Sequence, residues 1–472
     1  MYNVSDAVIE AFMNDGVHKE FRVVIDGVSY GNDKIVDGSF SLKQAIMDSE
    51  DFQAIGCIAS SLSIEVHAQF STKIRDARIK MYVRAGNTTE LQIFDGYVNK
   101  CTKTANGWKR SIEAYDYFYT MSGNSGNNTG NTQKKFDITD WYNNHNATTV
   151  SNLLTEVCSK FGLSVRTGNK ALVNGSITTY CGREKKASSL SALDLIKAIM
   201  ELNGCFGYIT GDGYFSWKYL LMPTHDDEGW LCPSGFLYPE GSLYPGQADE
   251  EHSRQNIIGE YESLEYQDYQ MLPINKVVVR DSENDSNQGS AGATSTSADD
   301  NVYIIQGNIL IGGASQGTKE TCAKNVFDVL NLTYYVPFVA DLQGLPYIEC
   351  GDEINLYDFV GDYGQASLQR FYVLSRTLSG GQHLKDSWSA NGDEYQHEFV
   401  VGQAVNVNTD DIKDEIEEYV DDKVAAASGL IRIVSVQALS DIPNPPDART
   451  VYCVQGDVQI VSMLYPDEPP SD

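Results

Sequence analysis

Alternating hydrophobic and polar residues mark the first quarter of the chain. In the segment SLSIEVH, which begins at Ser61, the apolar residues Leu62, Ile64 and Val66 are separated by polar ones. A period of two is typical of a β-strand with one buried face. The segments EFRVVIDG, DARIKMYVR, LQIFDGYVNK and GWKRSIEAYDYFY follow the same pattern between glycine and asparagine turn signals. The pattern therefore predicts β structure throughout 20–119, as a small barrel or sandwich in which closure removes unpaired strand edges.

The pattern changes after the segment 121–135, MSGNSGNNTGNTQKK, whose glycine, asparagine and serine content is typical of a flexible linker. Two helices are then predicted, because apolar residues recur at helical spacing in TVSNLLTEVCSKFGL and in SSLSALDLIKAIMELNG. Gly162 and Gly204 are placed to end these two helices. The second helix leads into CFGYITGDGYFSW, in which Asp212 and Gly213 predict a hairpin turn.

Alternation returns at about residue 257, in INKVVVR, VYIIQGNILI, YIECGDEINLYDFV and RFYVLSRTL. We expect one helix in this region, over 319–332, and a loop at 281–300, which is too polar to pack. A highly charged helix is predicted at 409–427, with one apolar stripe; because such a helix has little to bury alone, we expect it to associate with copies of itself. That stripe contains Ile412, Ile416, Tyr419, Val420 and Val424.

The expected fold class is α+β, mainly β, with two small β-barrel domains that flank a mixed α/β region, then a helix and a small C-terminal module. The leading segment MYNVSDAVIEAFMNDG predicts a short amphipathic helix. It lacks the basic start and apolar core of a signal peptide, which favours assembly in a cytoplasm. The expected divisions are a first barrel domain with its leading helix at 1–120, a linker at 121–135, an α/β middle domain at 136–256 with an inserted aromatic loop at 221–249, a second barrel domain at 257–405 with a helix at 319–332, a helix at 406–428, and a small module with an acidic tail at 429–472.

The composition limits the classes of partner. A formal net charge of −30 argues against binding to phosphate backbones, because Lys and Arg supply the charge that holds them. We interpret the acidic residues as spread along the chain rather than collected in one tail. The solubility that they confer is a sufficient explanation of their excess. No segment has the apolar run of about 18 residues that a membrane span needs. The nine cysteines form no Cys-x-x-Cys pair, so we expect inert thiols that pack as small hydrophobes.

The sequence contains no motif that assigns a catalytic residue or a cofactor. His-Glu-x-x-His and the phosphate-binding Gly-x-x-x-x-Gly-Lys pattern are absent from it. The run HDDEGW offers calcium ligands at four positions, but the EF-hand spacing is missing and adjacent side chains converge poorly on one ion. An exposed acidic loop without metal is the favoured interpretation of these positions, which are His225, Asp226, Asp227 and Glu228.

Aromatic residues in the loop at 221–249 suggest an interaction surface. Their rings could stack on sugars, since an aromatic face with a polar edge suits that task. They could equally pack on their own domain or on a neighbouring protein, where Tyr and Trp are enriched, and protein contact is favoured. The residues are Trp230, Phe236, Tyr238 and Tyr244.

Taken in order along the chain, these segments resemble a known family. Four segments resemble the first barrel of bacteriophage baseplate or tail-tip hub proteins, which are also called tail-associated proteins. These segments are FQAIGCIASSLSIEV, DARIKMYV, IFDGYV and IEAYDYFY. SALDLIKAIMELNGCFGYITGDGYFSW is similar to the middle domain of that family, and LYPEGSLYPG is similar to one of its loops. Three later segments resemble the second barrel of the family, namely VYIIQGNILI, LTYYVPFVADLQGLPYIECGDEINLYD and LSGGQHLKDSWSANG. The resemblance therefore extends over about 20–395.

The resemblance implies a structural virion protein at the tail tip, assembled in the host cytoplasm. Hubs of this family are homotrimers in which two similar barrels per chain form a ring of six. Such a ring adapts a six-fold tail tube or distal tail ring to a three-fold tip. The implied partners are distal tail and tube proteins, the tape-measure protein and a tip or fibre protein. DNA would pass through the channel without specific binding, and an acidic channel wall would repel it.

Two other functions are carried as alternatives. The first is a receptor-binding or glycan-binding tail protein that acts through the aromatic loop or the C-terminal module. The second is a hub that also degrades the cell wall, with its chemistry in 135–256. The residues that follow the second barrel are too few for a typical wall hydrolase, which favours a protein that is not an enzyme.

Overall fold

The computed structural model shows two compact units, Met1–Val407 and Asn408–Asp472, each of which is described in part. The described residues are 4–47, 56–70, 73–104, 108–122, 137–179, 187–220, 224–226, 257–258, 261–267, 269–271, 273–293, 301–331, 335–360, 365–392, 403–405, 432–436 and 450–454.

The described part of the first unit contains six helices. They are α1 Asp6–Met13, α2 Tyr117–Met121, α3 Thr139–Asn143, α4 Val150–Lys160, α5 Ala192–Asn203 and α6 Gln316–Leu330. The predicted helix ends are confirmed at Gly162 and Gly204, which adopt φ of 69° and 60°. Glycine reaches this left-handed region without the steric cost that a side chain would add.

The described strands are more numerous than the helices, as expected for a mainly β protein. They are β1 Lys19–Ile25, β2 Val28–Tyr30, β3 Phe40–Ala45, β4 Ser61–Val66, β5 Arg78–Ala85, β6 Leu91–Lys103, β7 Arg110–Tyr115, β8 Phe206–Ile209, β9 Phe215–Lys218, β10 Thr224–Asp226, β11 Ile257–Ile258, β12 Ser263–Tyr266, β13 Tyr269–Met271, β14 Lys276–Arg280, β15 Gly289–Gly292, β16 Val302–Gln306, β17 Val336–Gln343, β18 Glu353–Val360, β19 Gln365–Gly380, β20 Leu384–Gly392, β21 Gln403–Val405, β22 Arg432–Val436 and β23 Thr450–Val454.

The strands β1–β7, called here the first β region, close on themselves. The path β4-β7-β6-β5-β1-β2 is antiparallel throughout. The chain that continues from β2 then returns to β4, where Ile35 bridges Val66. Two backbone hydrogen bonds fix this return, from Val36 N to Glu65 O at 2.9 Å and from His67 N to Lys34 O at 2.6 Å. The bridge joins the two ends of this path, but the separate barrel domain that the sequence predicted is not observed, because these strands belong to one large antiparallel sheet with strands from later in the chain.

The alternating residues of β4 confirm how the pattern specifies this region. Leu62, Ile64 and Val66 are fully buried, whereas Ser63 is exposed and Glu65 is half-buried. Phe21, Val23 and Ile25 of β1 are buried in the same way. The apolar side of each strand faces the interior because burial of that side removes it from water.

The strands β10, β11, β12, β17, β18, β19 and β20, called here the second β region, join the first in one sheet. Strand β19 is 16 residues long, and its residues from Ser375 to Gly380 pair with β3 from Ala45 to Phe40. This contact produces a sheet of 14 strands, of which eleven follow a single antiparallel path, β12-β17-β20-β19-β3-β4-β7-β6-β5-β1-β2. Strand β18 pairs with β19, and β11 pairs with β18. The edge-to-edge joining of the two regions has no counterpart in the sequence prediction.

Smaller sheets and helices pack beside this large sheet. Strands β8 and β9 form the predicted hairpin, and Gly213 adopts a φ of 87° in its turn. Strands β15, β14 and β16 form a three-stranded sheet, on which α6 packs. Asn174 connects α5 and α6, because its side-chain amide donates to Leu202 O at 2.6 Å and to Cys322 O at 3.3 Å.

Four predicted elements are corrected. The segment after Tyr115 is helix α2 and not strand, because the Asp116 side chain accepts the N–H of Phe118 and caps the helix. Helix α6 begins at Gln316, after the cap Ser315, and ends at Leu330. The segment 281–300 is not a loop throughout, since β15 pairs with β14. Residues 224–226 of the expected surface loop form β10, which pairs with β19.

In the second unit, the described residues form one parallel pair of strands, β22 and β23, with Arg432 opposite Thr450. The predicted helix at 406–428 lies outside the described residues, as does the acidic tail. The expected domain boundaries stay a prediction.

Candidate functional site at the junction of the β regions

The place where the two β regions meet, called here the junction, contains buried charge. Arg376 lies on β19, opposite Gln44 of β3 on one side and Trp388 of β20 on the other. Its guanidinium forms an ion pair with Asp386 of β20, in which Nε donates to Oδ1 at 3.2 Å. The side chains are 1% and 0% exposed. The junction strand therefore carries a charge pair that water does not reach.

The same guanidinium binds the loop before β18. One of its nitrogens donates to Leu345 O at 3.0 Å, and another donates to Ile348 O. Burial raises the pKa of Asp386, and the charge of Arg376 opposes that rise. Because a buried guanidinium needs several acceptors, these carbonyls and the carboxylate together make the burial tolerable.

A second ion pair attaches the β8–β9 hairpin to the second β region. Lys218 Nζ donates to Asp352 Oδ1 at 2.6 Å and to Cys350 O at 2.9 Å. Burial works to lower the pKa of Lys218, but the negative charges of Asp352 and Glu349 keep it above its ordinary value. Burial works to raise the pKa of Asp352, and Lys218 brings it below its ordinary value. Both groups are therefore held in their charged forms.

The turn of this hairpin also contacts the first β region. Gly211 N donates to Glu349 Oε1 at 3.1 Å, while Gly211 O accepts from Gln92 Nε2 of β6 at 3.0 Å. Farther along, Gly207 O accepts from Cys57 N at 2.8 Å. The hairpin thus lies between the two β regions and bonds to both.

A third set of contacts involves the end of α1 and the chain that follows it to β1. Gln343 of β17 donates to Phe12 O at 2.6 Å. The side chain of Gln382, in the turn between β19 and β20, lies 2.8 Å from His18 Nδ1 and donates to Val17 O at 3.0 Å. A cavity of about 320 Å³ lies beside these groups, and Asp37 contributes to its lining. In its wall Gln382 bonds to His18 and to the backbone of Lys19, and Phe40 and Gly380, which also line it, come from the two β regions, so the cavity is part of the junction.

The sequence-predicted site residues are not placed by the structure. The interaction loop with Trp230, Phe236, Tyr238 and Tyr244 lies outside the described residues, as does the helical stripe of Ile412, Ile416, Tyr419, Val420 and Val424. Of the candidate calcium ligands, His225 and Asp226 are described only as backbone of β10. Across the described ranges, no group of three or more His, Cys, Asp or Glu residues is placed to hold a metal.

The described cysteine side chains are free thiols. Cys57, Cys158, Cys205, Cys322 and Cys350 are buried, and Cys101 is half-buried. Burial raises the pKa of Cys57 to about 12, which keeps the thiol protonated and unreactive. Among the described helices, none is long and apolar enough to cross a membrane.

The distribution of charge corrects one sequence interpretation. Residues 1–220 contain 23 Lys and Arg and 23 Asp and Glu, so they carry no net charge. Residues 221–472 contain 12 Lys and Arg and 42 Asp and Glu, which accounts for the whole of the −30. The acidic residues are therefore not spread evenly. A count by segment would have revealed this from the sequence.

Similar folds occur in proteins of phage tails. The 43 kDa tail protein of prophage MuSo2 from Shewanella oneidensis has a TM-score of 0.45 and 9% identity, over 79% of this chain and 97% of its own. A tail protein from Neisseria meningitidis has a TM-score of 0.44 and 9% identity, over 80% and 97%. Prophage tail protein gp18 from Listeria monocytogenes has a TM-score of 0.41 and 10% identity, over 78% and 94%.

The similarity concerns structure, and at this level of identity and TM-score it transfers no function to the chain. No protein-family model matches the sequence. A comparison with curated proteins also gives no match.

Proposed function

We propose that the protein is a structural component of a bacteriophage tail tip or baseplate, where it forms the central hub. The observation that carries this proposal is the junction, at which β3 and β19 join two β regions of one chain into a continuous sheet. A chain built in this way presents two β units that are joined by backbone hydrogen bonds. The order of the family-like segments over 20–395 supports the same assignment.

The hub is a homotrimer in this proposal. Three copies place six β units around an axis, which adapts a six-fold tail tube or distal tail ring to a three-fold tip. The fully buried pair at Arg376 and the half-buried pair at Lys218 suit this role, because charged groups held away from most of the solvent favour one arrangement of the strands around them. Distal tail and tape-measure proteins are its partners above, and a tip or fibre protein is its partner below.

The role of the protein is mechanical rather than catalytic. The buried ion pairs at the junction have their charges matched by each other and by backbone carbonyls, so they act as structural bonds. The acidic half, 221–472, contributes the charge that lets DNA pass through the channel without adhering.

Native mass spectrometry of the purified full chain tests the assembly. The expected species has three times the chain mass of 52.2 kDa, and electron microscopy of it should show a ring with a central opening. A monomer at all concentrations up to tens of micromolar, or a closed two-fold dimer, would overturn the hub.

Incubation with labelled peptidoglycan separates the hub from a wall-degrading enzyme. We expect no soluble fragments above those released by heat-unfolded protein. Release of fragments by the folded protein would assign an enzymatic function in place of the mechanical one.

A further inference from the structure

A buried lysine lines the cavity at the junction. Lys19 is 1% exposed and lies on the inward side of β1, which also carries Phe21, Val23 and Ile25. Both Lys19 and Phe21 contribute to the wall of the cavity, whose volume is about 320 Å³. The cavity therefore borders the inward face of the first β region, and a charged side chain stands among the apolar residues of that face.

The ammonium group of Lys19 has only a neutral partner. Its Nζ donates to Asn14 O, and no carboxylate in the described part of the chain forms an ion pair with it. The other fully buried cations of that part, Lys319 and Arg376, each have a carboxylate partner. Burial lowers the pKa of Lys19, and the charge of Asp15 opposes this change only in part. Because a buried cation without an opposite charge is unfavourable, the position suits a negative group that comes from outside the chain.

A carboxylate stands on the exposed side of the same cavity. Asp37 lines the cavity and has neither an ion pair nor a hydrogen bond among the residues that the structure describes. Its Oδ1 lies over Gly381, in the turn between β19 and β20, where a Cβ on that glycine would overlap it. The cavity wall therefore contains one positive group on its inward side and one negative group on its exposed side.

Apolar side chains contribute to the wall between these two charges. They are Phe21, Ile35, Val36 and Phe40. The amides of Asn32 and Gln382 also line the cavity, but both already bond to backbone groups of the chain. An apolar cavity with a few polar groups that fix orientation is typical of a site for a small molecule, and this volume lies at the lower end of the range for such sites.

We infer that this cavity binds a small aliphatic α-amino acid. The carboxylate of the ligand pairs with Lys19, its ammonium group pairs with Asp37, and its hydrocarbon part contacts the apolar wall. Because residues 380–382 belong to the wall, the ligand contacts both β regions and stabilises the junction between them. This binding function goes beyond the proposed hub and does not depend on the trimer.

Three probes that differ by one chemical group test the site in the full chain. They are leucine, 4-methylpentanoate, which lacks the ammonium group, and 3-methylbutylamine, which lacks the carboxylate. Isothermal titration calorimetry should show binding of leucine and a binding of 4-methylpentanoate that is about two- to fivefold weaker, because the ammonium group pairs with an exposed carboxylate. We expect no binding of 3-methylbutylamine, and none of inorganic phosphate, since Asp37 repels a second negative charge.

Lys19→Met tests the carboxylate end of the ligand. We expect it to weaken the binding of leucine by about 30-fold or more, because one partner of a buried charge pair is lost. The melting temperature of the unliganded variant should equal or exceed that of the native chain, whereas loss of a lysine with a purely structural role would lower it. Lys43→Met is the matched control, since Lys43 lies exposed on β3 and outside the cavity, and it should keep the native affinity.

Asp37→Asn tests the ammonium end of the ligand. It should retain the binding of 4-methylpentanoate and remove the preference for leucine over it. Asp33→Asn is the matched control, because Asp33 is exposed in the same segment and lies outside the cavity. Since Asp37 is exposed, its variant should fold, and it decides the question together with the three probes even where Lys19→Met does not fold.

The outcomes separate this inference from the proposed function. A native chain that neither binds leucine nor gains melting temperature in about 10 mM leucine overturns the site and leaves the hub standing, because native mass spectrometry reports the trimer independently. An affinity for leucine that Lys19→Met does not change also overturns the site. Equal binding of leucine and 4-methylpentanoate by the native chain, or binding of phosphate, overturns the amino acid as the ligand and assigns a simple anion instead.

Discussion

Arg376 of β19 and Asp386 of β20 form an ion pair beside the contact between the two β regions, and both side chains are shut off from solvent. Removing two charges from water costs several kcal/mol, and the attraction between them offsets that cost only when the geometry is good. The pair therefore contributes less to net stability than to the choice of a single register between β19, β20 and the loop that binds Arg376.

Arg376→Met should lower the free energy of unfolding by about 3–5 kcal/mol, because it leaves Asp386 buried without its cation. Urea unfolding followed by circular dichroism measures the change. The matched control is Arg84→Met, which removes an exposed pair with Glu20 and should cost less than about 1 kcal/mol. Adding Asp386→Leu to Arg376→Met should recover most of the loss. Equal costs for Arg376→Met and Arg84→Met would contradict the assignment of a buried pair.

Asp116 predicts a dependence of stability on pH. Burial raises the pKa of this carboxyl to about 7, although the N–H groups of Ser60 and Phe118 oppose the rise at 2.7 and 2.9 Å. The folded-state pKa then lies above the ordinary value of 3.8. The stability that the bound proton contributes is fully present below that ordinary value and is lost as the pH rises through about 7.

Asp116→Asn removes this titration. The stability of the native chain relative to the variant should fall between pH 4.5 and pH 7.5, by up to about 1.4 kcal/mol per pH unit. Urea midpoints at the two pH values give the difference. If the difference in free energy of unfolding between the native chain and the variant stays constant across this range, Asp116 does not take up the proton.

Lys319 holds the turn before β15 to helix α6. Its buried Nζ lies 2.9 Å from Asp281 Oδ2 and 2.6 Å from Asp285 Oδ2, and it lowers the pKa of Asp285 to about 2. A depressed carboxyl pKa contributes stability above its ordinary value of 3.8, and that stability is lost as the pH falls towards 2.

Lys319→Met should therefore cost about 1–3 kcal/mol at pH 7, and the cost should shrink as the pH falls towards the lowered pKa of Asp285, about 2. Lys324→Met in the same helix is the control, because its pair with Asp328 is exposed and is worth only a few tenths of a kcal/mol. A cost that does not change with pH would assign the effect to lost packing of the lysine stem.

Gly207 permits the close approach of the β8–β9 hairpin to the first β region. A Cβ at this position would lie 2.8 Å from Cys57 Sγ and 3.2 Å from Phe215 Cε2, in a buried site. Gly207→Ala should lower the free energy of unfolding by about 1–3 kcal/mol through overpacking. Gly317→Ala is the control, since a Cβ there meets nothing within 4 Å and alanine favours the helix by about 0.5–1 kcal/mol. Equal effects from both changes would show that the approach at Gly207 is not tight.

The elements that could be predicted are those whose signal is local. The buried faces of β1 and β4 follow from residues two apart, and the ends of α4 and α5 follow from Gly162 and Gly204. Elements whose signal is a partner elsewhere were predicted incorrectly. Strand β15 consists of glycine, serine and alanine and has no apolar face, but it pairs with β14. Helix α6 packs closely on this strand, and Gly289 permits that approach because it has no side chain.

The candidate site was missed for the same reason. Arg376 sits in an ordinary alternating strand, Lys218 ends a hairpin, and nothing in their neighbouring residues marks the partners Asp386 and Asp352. An ion pair depends on which distant segments meet, whereas hydrophobic spacing records only which side of one segment is buried.

By itself the sequence determined a mainly β chain with helices in the middle, its net charge, and the side of each strand that avoids water. Only the tertiary structure decided that β3 pairs with β19, and that Arg376 and Lys218 form ion pairs with the carboxylates of Asp386 and Asp352. Side-chain periodicity fixes a face within one strand, but a strand's hydrogen-bonding edges carry the same backbone groups in every strand. The choice of neighbour is therefore made by the packing of the whole chain.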